Sequence, residues 1–494
     1  MRRVKRQRRT RLTKVNAAPM LARNHGRMSE LSAIPPFDAD LLRRYDRPGP
    51  RYTSYPTAPH FAAGFGEDAL REVIRRSNAD PIPRPLSLYA HIPFCFSPCF
   101  YCGCNRVITR DRARGGTYLA RLVREIAMVA PLFDRDREAV QLHLGGGTPN
   151  FLDAHQLEEL VDTIASHFRL ADAAAREVSI ELDPRCVKDG DIAAMAAIGF
   201  NRASLGVQDF DPAVQQAVNR IQSVEETLAV VDACRRHGFR SVNIDLIYGL
   251  PGQNAQGFAR TLDIVTAVRP DRLAVYSYAH MPQLFRPQRQ IDESRLPDPE
   301  AKLGLLQLAI DKLSAAGYRY IGMDHFALPD DDLARALERG GLHRNFMGYT
   351  THAESDLVAF GVSAISHVGD SFSQNPRDLP SWEAAIDAGR IPTWRGVRMD
   401  ADDRVRADAI GQLMCTGRID VAALEARHDI AFVRYFGDEL DRLAPLMADG
   451  LVEVDDAAIH ATSRGRLLLR IIAACFDRYL HESSSLPARF SKAI

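Results

Sequence analysis

The chain has 494 residues, 46% of them hydrophobic and 26% charged, with 63 basic and 63 acidic side chains. This is the composition of an ordinary soluble protein with room for a large domain and a smaller one. No apolar run approaches the roughly 18 residues of a membrane span, and eight cysteines without a secretory signal exclude a disulfide-stapled secreted protein. We expect a cytoplasmic protein.

The first 27 residues carry ten Lys and Arg and no acid, so the rest of the chain has a net charge of −10. Such a start is typical of a nucleic-acid arm or of an organelle-targeting peptide. A third interpretation, which we favour, is that the native start is Met28. We treat residues 1–35 as a basic, disordered extension and expect no nucleic-acid partner.

After a lead-in over residues 36–85, short β-rich apolar runs alternate with stretches of helical periodicity. The predicted strands are 86–94, 140–144, 178–182, 202–207, 242–248 and 273–278, and the predicted helices are 117–130, 155–168, 224–237 and 257–268. Six such units indicate parallel strands covered by helices. The sequence therefore predicts an α/β fold over residues 86–391, with a partial or full β/α barrel favoured over a doubly wound sheet.

Polar clusters that a core does not need follow these strands. They are His91 with a cysteine loop, Gly145 to Thr148, Glu181 with Asp183, Gln208 with Asp209, Asp245, and Tyr278 with His280. Because the carboxyl ends of parallel strands meet at one mouth, where barrels bind ligands, we expect all of these groups to face that mouth. This arrangement is what favours the barrel.

The cysteine loop follows the first strand and carries Cys95, Cys99, Cys102 and Cys104 within ten residues. The spacing CxxxCxxC lets three thiolates converge on one four-iron cluster, which leaves one iron open to a small molecule. A structural zinc site is the alternative, but zinc loops usually come as two pairs and the remaining cysteines are scattered singly. We favour the iron–sulfur centre.

Beyond residue 392 the periodicity is mostly helical, with predicted helices at 402–413, 421–425, 433–443 and 465–480 and short strands at 451–454 and 459–462. A winged-helix DNA module would also show this pattern. The segment lacks the concentrated basic stripe that phosphate binding requires. We therefore predict a smaller, mostly helical C-terminal domain over residues 392–494 and no DNA contact by it.

Several motifs together resemble the radical S-adenosylmethionine (SAM) enzymes and, within them, the oxygen-independent coproporphyrinogen III oxidases (coproporphyrinogen dehydrogenases). The likeness covers about residues 45–494. The motifs that carry it are His91-Ile-Pro-Phe-Cys95 with Cys99 and Cys102-Gly-Cys104, Gly145-Gly-Gly-Thr-Pro149, Arg51-Tyr-Thr-Ser-Tyr55, Gly206-Val-Gln208, Asn243-Ile-Asp245, and His343-Arg-Asn345.

The resemblance implies a partial six-unit β/α barrel with a [4Fe-4S] cluster and two molecules of SAM. Reductive cleavage of one SAM would give a 5′-deoxyadenosyl radical, which takes hydrogen from a propionate of coproporphyrinogen III. Loss of CO₂ and an electron leaves a vinyl group, and two such rounds give protoporphyrinogen IX in haem biosynthesis. The cofactors supply the reactive group, so no side chain is assigned as catalytic.

The resemblance also carries site residues over to this chain. The cluster ligands implied are Cys95, Cys99 and Cys102. The residues implied for the first SAM are Tyr89, Gly146, Glu181 and Ile365, and those for the second SAM are Tyr101, Gly147, Thr148, Gln208, Arg220, Asp245 and Ala279. Cys104 matches a further family cysteine whose role is left open.

Substrate recognition should combine apolar walls with Arg, Lys or His donors, because the ring carries four propionates. The candidates are Arg51 and Tyr52, with His343 and Arg344 as weaker ones. The alternative is that these residues brace the N-terminal arm and a loop. The resemblance further implies a monomer with no membrane span, which takes electrons from a donor such as flavodoxin or ferredoxin.

Two rival functions stay open at this point. One is a haem chaperone or a haem-degrading relative, which shares the barrel; Cys104 and the motif at residues 51–55 favour the oxidase. The other is a zinc-stabilised binding protein without redox chemistry.

Overall fold

The computed structural model describes residues 36–482 and 490–492. Its strands are β1 (Leu86–Ile92), β2 (Phe94–Cys95), β3 (Val107–Ile108), β4 (Glu138–Gly146), β5 (Arg169–Leu170), β6 (Glu177–Leu182), β7 (Arg202–Gln208), β8 (Ser241–Tyr248), β9 (Arg272–Ser277), β10 (Arg319–Gly322), β11 (His325–Ala327), β12 (His343–Asn345), β13 (Gly348–Thr350), β14 (Asp356–Phe360), β15 (Ile365–Val368), β16 (Ser371–Gln374), β17 (Arg395–Arg398), β18 (Arg418–Asp420), β19 (Val452–Val454) and β20 (Ala458–Ala461). The predicted disordered extension at residues 1–35 lies outside the described residues.

The α-helices cover the sheet and build the C-terminal part. They are α1 (Ala39–Tyr45), α2 (Glu67–Asn78), α3 (Ala113–Val129), α4 (Ala154–His167), α5 (Asp191–Ile198), α6 (Pro212–Ala217), α7 (Val224–Arg236), α8 (Ala255–Val268), α9 (Pro299–Ala315), α10 (Asp332–Arg339), α11 (Leu379–Asp387), α12 (Ala401–Thr416), α13 (Val421–His428), α14 (Phe432–Tyr435), α15 (Gly437–Ala448), α16 (Leu469–Ala474) and α17 (Arg478–Glu482). Among the described residues, no helix combines the length and the apolar character needed to cross a bilayer.

One sheet dominates the fold, and its order is β10-β11-β9-β8-β7-β6-β4-β1-β14-β15-β16-β17. The strands from β9 to β14 along this path run parallel, and the strands outside them are antiparallel. From β1 to β9, each major strand adds to the same side of the preceding one. A doubly wound sheet would reverse direction partway. The α/β prediction of a partial barrel is therefore confirmed and the doubly wound alternative is wrong.

All six predicted strands of the barrel are present, and each end lies within two residues of its predicted position. The first is shorter than predicted, because β1 ends at Ile92 and Pro93 separates it from β2. Parallel strands covered on both faces are buried throughout, and β1 is an example with only Tyr89 partly exposed. Helices α4 and α7 begin at capping boxes formed by Asp153 with Gln156 and by Ser223 with Glu226.

The antiparallel half of the sheet is not among the predicted elements. Strands β10 to β17 are three to five residues long, which is too short for a clear alternation of apolar and polar residues. Strand β14 nevertheless completes the parallel set, since it pairs with β1 along five residues.

The C-terminal segment forms a second hydrophobic core around α12 to α16 and a small sheet of β18, β20 and β19. Two predicted helices are wrong as single elements. The helix at 433–443 breaks at Phe436, whose backbone is not helical and which precedes Gly437. The helix at 465–480 breaks before α17, where the Asp477 carboxylate accepts from Tyr479 N at 3.0 Å and starts a new turn.

The N-terminal arm, residues 36–56, packs on this second core. Leu41, Leu42, Tyr45, Tyr52 and Tyr55 are members of it. Arg470 donates to the carbonyl oxygen of Pro50 at 3.0 Å and also to that of Gly49. The arm is thereby fixed between the C-terminal helices and the barrel.

Candidate active site

The cysteine loop is closed by a short parallel pairing, in which Phe94 lies opposite Val107 and Cys95 opposite Ile108. The Arg106 guanidinium then binds the loop from inside, donating to the carbonyl oxygens of Cys102 at 3.1 Å, Cys104 at 3.3 Å and Cys99 at 3.2 Å. One cation therefore orders the backbone that carries the three predicted cluster ligands.

Each predicted ligand sulfur faces a hydrogen-bond donor. Thr148 Oγ1 donates to Cys95 Sγ at 3.4 Å, Arg220 Nη1 to Cys99 Sγ at 3.6 Å, and Cys104 N to Cys102 Sγ at 3.4 Å. Hydrogen bonds to the sulfurs are one of the means by which proteins tune iron–sulfur clusters.

The thiols differ in their electrostatic surroundings. The hydrogen bond from Cys104, then the charges of Arg106 and Arg220, lower the pKa of Cys102 to about 6. Burial raises the pKa of Cys95 to about 11 despite the Thr148 hydroxyl. Metal binding requires thiolates, and the hydrogen bond and the two arginines favour that form at Cys102.

The turn after β4 packs against the base of the loop. Gly147 N donates to Ile92 O at 2.8 Å, and a Cβ atom on Gly147 would lie 2.8 Å from the Pro93 carbonyl. Gly146 has φ of +121°, a conformation that side chains disfavour. Glycine is therefore required here so that the strand ends approach each other.

The three thiols line one cavity together with six of the seven residues predicted for the second SAM: Tyr101, Gly147, Thr148, Gln208, Arg220 and Asp245. Gln208 has φ of +70° and follows an irregularity in the β7–β8 register, which turns its side chain at the strand end. Asp245 accepts from Asn243 Nδ2 at 2.8 Å and Ser204 Oγ at 3.1 Å, and burial raises its pKa to about 6.

The seventh residue, Ala279, lies in a neighbouring cavity beside Arg51. A single amide joins the two cavities, because Gln288 Nε2 donates both to Tyr101 O at 2.8 Å and to Ala279 O at 3.1 Å. The structure thus brings Ala279 to the rim of the cysteine cavity without making it part of the lining.

All four residues predicted for the first SAM, Tyr89, Gly146, Glu181 and Ile365, line another cavity, which shares Gly146, Glu181 and Cys104 with the first. Glu181 accepts from Gly146 N at 3.0 Å and lies 3.3 Å from His143 Nε2. Burial opposes ionisation of Glu181, but these two partners outweigh it and lower its pKa. The carboxylate is ready to accept hydrogen bonds from a ligand amine or hydroxyl.

A tyrosine–histidine pair forms the far wall of this cavity. His91 Nε2 is 3.0 Å from Asn105 O, which can only accept, so this nitrogen carries the proton. His91 Nδ1 is then the acceptor for Tyr89 OH at 3.0 Å. Burial lowers the pKa of His91, so the pair is neutral and its orientation is fixed by hydrogen bonds.

The substrate candidates separate into two kinds of environment. Arg51 pairs with Asp324 at 3.0 Å, and Tyr52 OH donates to Asp477 at 3.0 Å, so both are held by carboxylates. His343 and Arg344 lie at a cavity next to Tyr52.

Some residues of the site had no distinct sequence signal. Arg106 and Arg185 are ordinary arginines in the sequence, yet Arg185 Nη2 lies 2.6 Å from Asp183 and 3.8 Å from Cys99 Sγ. The prediction that every polar strand-end group faces the mouth is wrong for Asp209. That carboxylate is 1% exposed and accepts from Thr261 Oγ1 and Gln253 Nε2, so it stabilises the base of a loop.

The donor set fits a [4Fe-4S] cluster with three protein ligands. Three thiols of one short loop face one cavity, and each has a donor for its sulfur. Within residues 36–482 and 490–492, no three His, Cys, Asp or Glu side chains meet closely enough to hold a single metal ion.

A partial β/α barrel with this loop at the carboxyl ends of its strands is the arrangement of the radical SAM superfamily, which matches residues 89–265. The HemN C-terminal domain matches residues 399–468. The oxygen-independent coproporphyrinogen III oxidase of Pseudomonas aeruginosa is 50% identical over 93% of this chain and 99% of its own length. That of Escherichia coli is 46% identical over 93% and 98%.

A solved structure agrees with these comparisons. The coproporphyrinogen III oxidase (HemN) from Escherichia coli, described as a radical SAM enzyme, superimposes with a TM-score of 0.85 and 45% identity over 90% of this chain and 100% of that one. The chain belongs to the oxygen-independent coproporphyrinogen III oxidase family, whose members use a [4Fe-4S] cluster and SAM.

Proposed function

We propose that this protein decarboxylates two propionates of coproporphyrinogen III to vinyl groups and so makes protoporphyrinogen IX in the cytoplasm. In each round a –CH₂–CH₂–COO⁻ group loses one hydrogen atom, one electron and CO₂, which leaves –CH=CH₂. The observation that carries this proposal is that the three thiols line the same or adjoining cavities as the residues predicted for SAM. The chain is also 50% identical to a relative named oxygen-independent coproporphyrinogen III oxidase.

Cys95, Cys99 and Cys102 would hold the cluster, and the cluster with SAM would supply one-electron chemistry that ends in hydrogen-atom transfer. The chain itself positions these groups. Arg106 orders the loop backbone, and the Asp183–Arg220 pair places a donor on Cys99. The protein therefore contributes orientation and electrostatics.

The presence of two neighbouring cavities supports the proposal that two SAM molecules bind. In one, Tyr89, Gly146, Glu181 and Ile365 would hold the SAM that reacts, with Glu181 accepting from its amino group or ribose. In the other, Tyr101, Gly147, Thr148, Gln208, Arg220 and Asp245 would hold the second, with Ala279 at the rim. Arg220 suits a carboxylate because its guanidinium is a planar fork.

We place the substrate beside the N-terminal arm, where Arg51, Tyr52, His343 and Arg344 lie. A monomer that accepts electrons from flavodoxin or ferredoxin would suffice for the reaction. The whole-length match to the oxidases disfavours the haem-chaperone and zinc-protein alternatives.

The test is an anaerobic assay with SAM, a reductant and coproporphyrinogen III that follows protoporphyrinogen IX and 5′-deoxyadenosine. The wild-type protein should form both, and Cys99→Ser should form neither, because a three-ligand cluster loses one ligand. Cys186→Ser is the matched control, since this half-buried cysteine lines none of the four cavities described above. A Cys99→Ser protein with full product formation contradicts the proposal.

A further inference from the structure

The cavity next to Tyr52 lies between the N-terminal arm, strands β12, β15 and β16, and helix α12. Its lining includes Tyr52, Arg344, Phe346, His367 and Phe372. Among the described lining residues there is no Asp or Glu, although an arginine and two histidines are present. The lining therefore combines apolar side chains with hydrogen-bond donors.

Arg344 provides the first donor. Its Nη1 is buried and has no hydrogen-bond partner, and Nε makes a long contact of 3.4 Å with Arg51 O. No carboxylate of the described residues pairs with this guanidinium, whereas the buried arginines Arg137 and Arg220 pair with Asp356 and Asp183. The guanidinium carbon lies 4.8 Å from the centroid of the Tyr349 ring, and a buried cationic N–H without a partner is costly, so an acceptor on a bound ligand would be favourable here.

His367 provides the second donor. Its ring stacks on Phe372 with centroids 4.2 Å apart, and its Nε2 is buried without a partner. Burial lowers the pKa of His367 to about 4, so the ring is neutral and can donate one N–H without adding a second charge. An arginine and a neutral histidine together suit a single carboxylate.

This cavity adjoins the one that contains Tyr89 and Glu181. Phe346 lines both. Ile365 of the SAM-side cavity and His367 are two residues apart on β15, and residues at that spacing share a face of a strand. A carboxylate bound at Arg344 would therefore belong to a molecule whose body lies next to the predicted reacting SAM.

We propose that Arg344 and His367 bind one propionate carboxylate of the substrate and thereby set which edge of the macrocycle faces SAM. This inference rests on the proposed function and deepens it. It assigns recognition to Arg344, and it gives Arg51 and Tyr52 a supporting role because carboxylates already hold their polar groups.

The experiment measures binding of coproporphyrin III, the oxidised ring with the same four propionates, to the anaerobically reconstituted holoenzyme with SAM present. Arg344→Met should weaken this binding at least about tenfold, because a buried charge-assisted pair is lost. Binding of the tetramethyl ester, which lacks the carboxylates, should stay unchanged. Arg344→Lys should bind coproporphyrin III more tightly than Arg344→Met and more weakly than the wild type. Lysine keeps the positive charge but loses the planar fork of the guanidinium.

Arg339→Met is the matched control, because Arg339 is exposed at the end of α10 and outside the cavity. His367→Phe is the second variant: it keeps the stack on Phe372 and should cost about fivefold through one hydrogen bond. It serves in place of Arg344→Met if that protein does not fold. Iron content and SAM binding should match the wild type in all variants.

The outcomes separate the two proposals. A wild-type protein that neither binds coproporphyrin III nor forms product contradicts the proposed function itself. A wild-type protein that does both, while Arg344→Met and His367→Phe bind coproporphyrin III as tightly as it does, overturns only the carboxylate site. Equal losses for the acid and the ester would also overturn it, since they would indicate a packing defect.

Discussion

Asp183 and Arg220 form a buried ion pair beside the cysteine loop, with two oxygen–nitrogen distances of 3.3 Å, and Arg220 extends from this pair to Cys99 Sγ at 3.6 Å. Asp183 also binds Arg185 at 2.6 Å. One carboxylate thus pairs with two arginines, both of which contact the predicted cluster ligand Cys99.

Replacing Asp183 by Asn should destabilise the protein by about 3–5 kcal/mol, because two largely buried guanidinium groups lose their counter-ion. The measurement is urea-induced unfolding at pH 7. Asp387→Asn is the control, since Asp387 pairs with Arg121 at the surface and should matter far less. Equal losses of unfolding free energy in the two variants would mean that the buried ion pair stabilises the protein no more than the surface pair does.

Gly147→Ala tests the close approach at the end of β4. The new methyl group would lie 2.8 Å from the Pro93 carbonyl, so the strand end must move away from the cysteine loop. We expect about 1–3 kcal/mol of destabilisation and a loss of reconstituted iron. Gly341→Ala, which meets nothing within 4 Å, should leave both unchanged. Full iron content in Gly147→Ala would contradict this account.

Glu125 should make stability depend on pH. Its carboxylate is 1% exposed and accepts from Gly361 N at 2.8 Å, Asn375 Nδ2 at 2.7 Å and Trp382 Nε1 at 3.0 Å, yet burial raises its pKa to about 7. Between about pH 4.5 and 7 the folded protein keeps a proton that the unfolded chain has released. Its contribution to stability is therefore greatest at low pH and is lost as the pH rises through this window.

Glu125→Gln cannot titrate, so the free energy of unfolding of the wild type relative to this variant should fall between pH 4.5 and 7.5, by roughly 3 kcal/mol at most. Urea unfolding at four pH values measures the difference. Glu72→Gln should show no such trend above pH 5, since two arginines lower the pKa of Glu72 to about 2. A constant difference for Glu125→Gln would contradict the prediction.

Removing residues 1–27 should leave formation of both products within about twofold, because we expect this segment to be an extension. Removing residues 1–56 should abolish it, since that truncation deletes α1 and Arg51, which pairs with Asp324. The anaerobic assay distinguishes the two truncations. Loss of activity on the shorter truncation would show that the basic segment takes part in function.

Short spacing and parallel strand ends impose proximity, and the cysteine loop, Glu181 and Asp245 do line one cavity as expected, while their roles stay predictions. The sequence could not distinguish Asp209 from the strand-end residues that line the cavity. Asp209 also follows a strand, but its side chain faces a loop, and sequence position does not set that direction. Asp183 takes its second partner, Arg220, from a distant part of the chain, and residue spacing does not predict that pairing. The antiparallel strands of the main sheet were missed, because runs of three or four residues show little periodic pattern.

The two ends of the main sheet, β10 and β17, are not paired with each other among the described strands. An eight-stranded barrel that closes fills its own centre with side chains. An unclosed wall escapes that limit on diameter, so it can leave room for a macrocycle as broad as a tetrapyrrole. A covalent cross-link engineered between β10 and β17 should then exclude ligands by their width. The cross-linked protein should no longer bind the macrocycle but should still bind a small nucleoside.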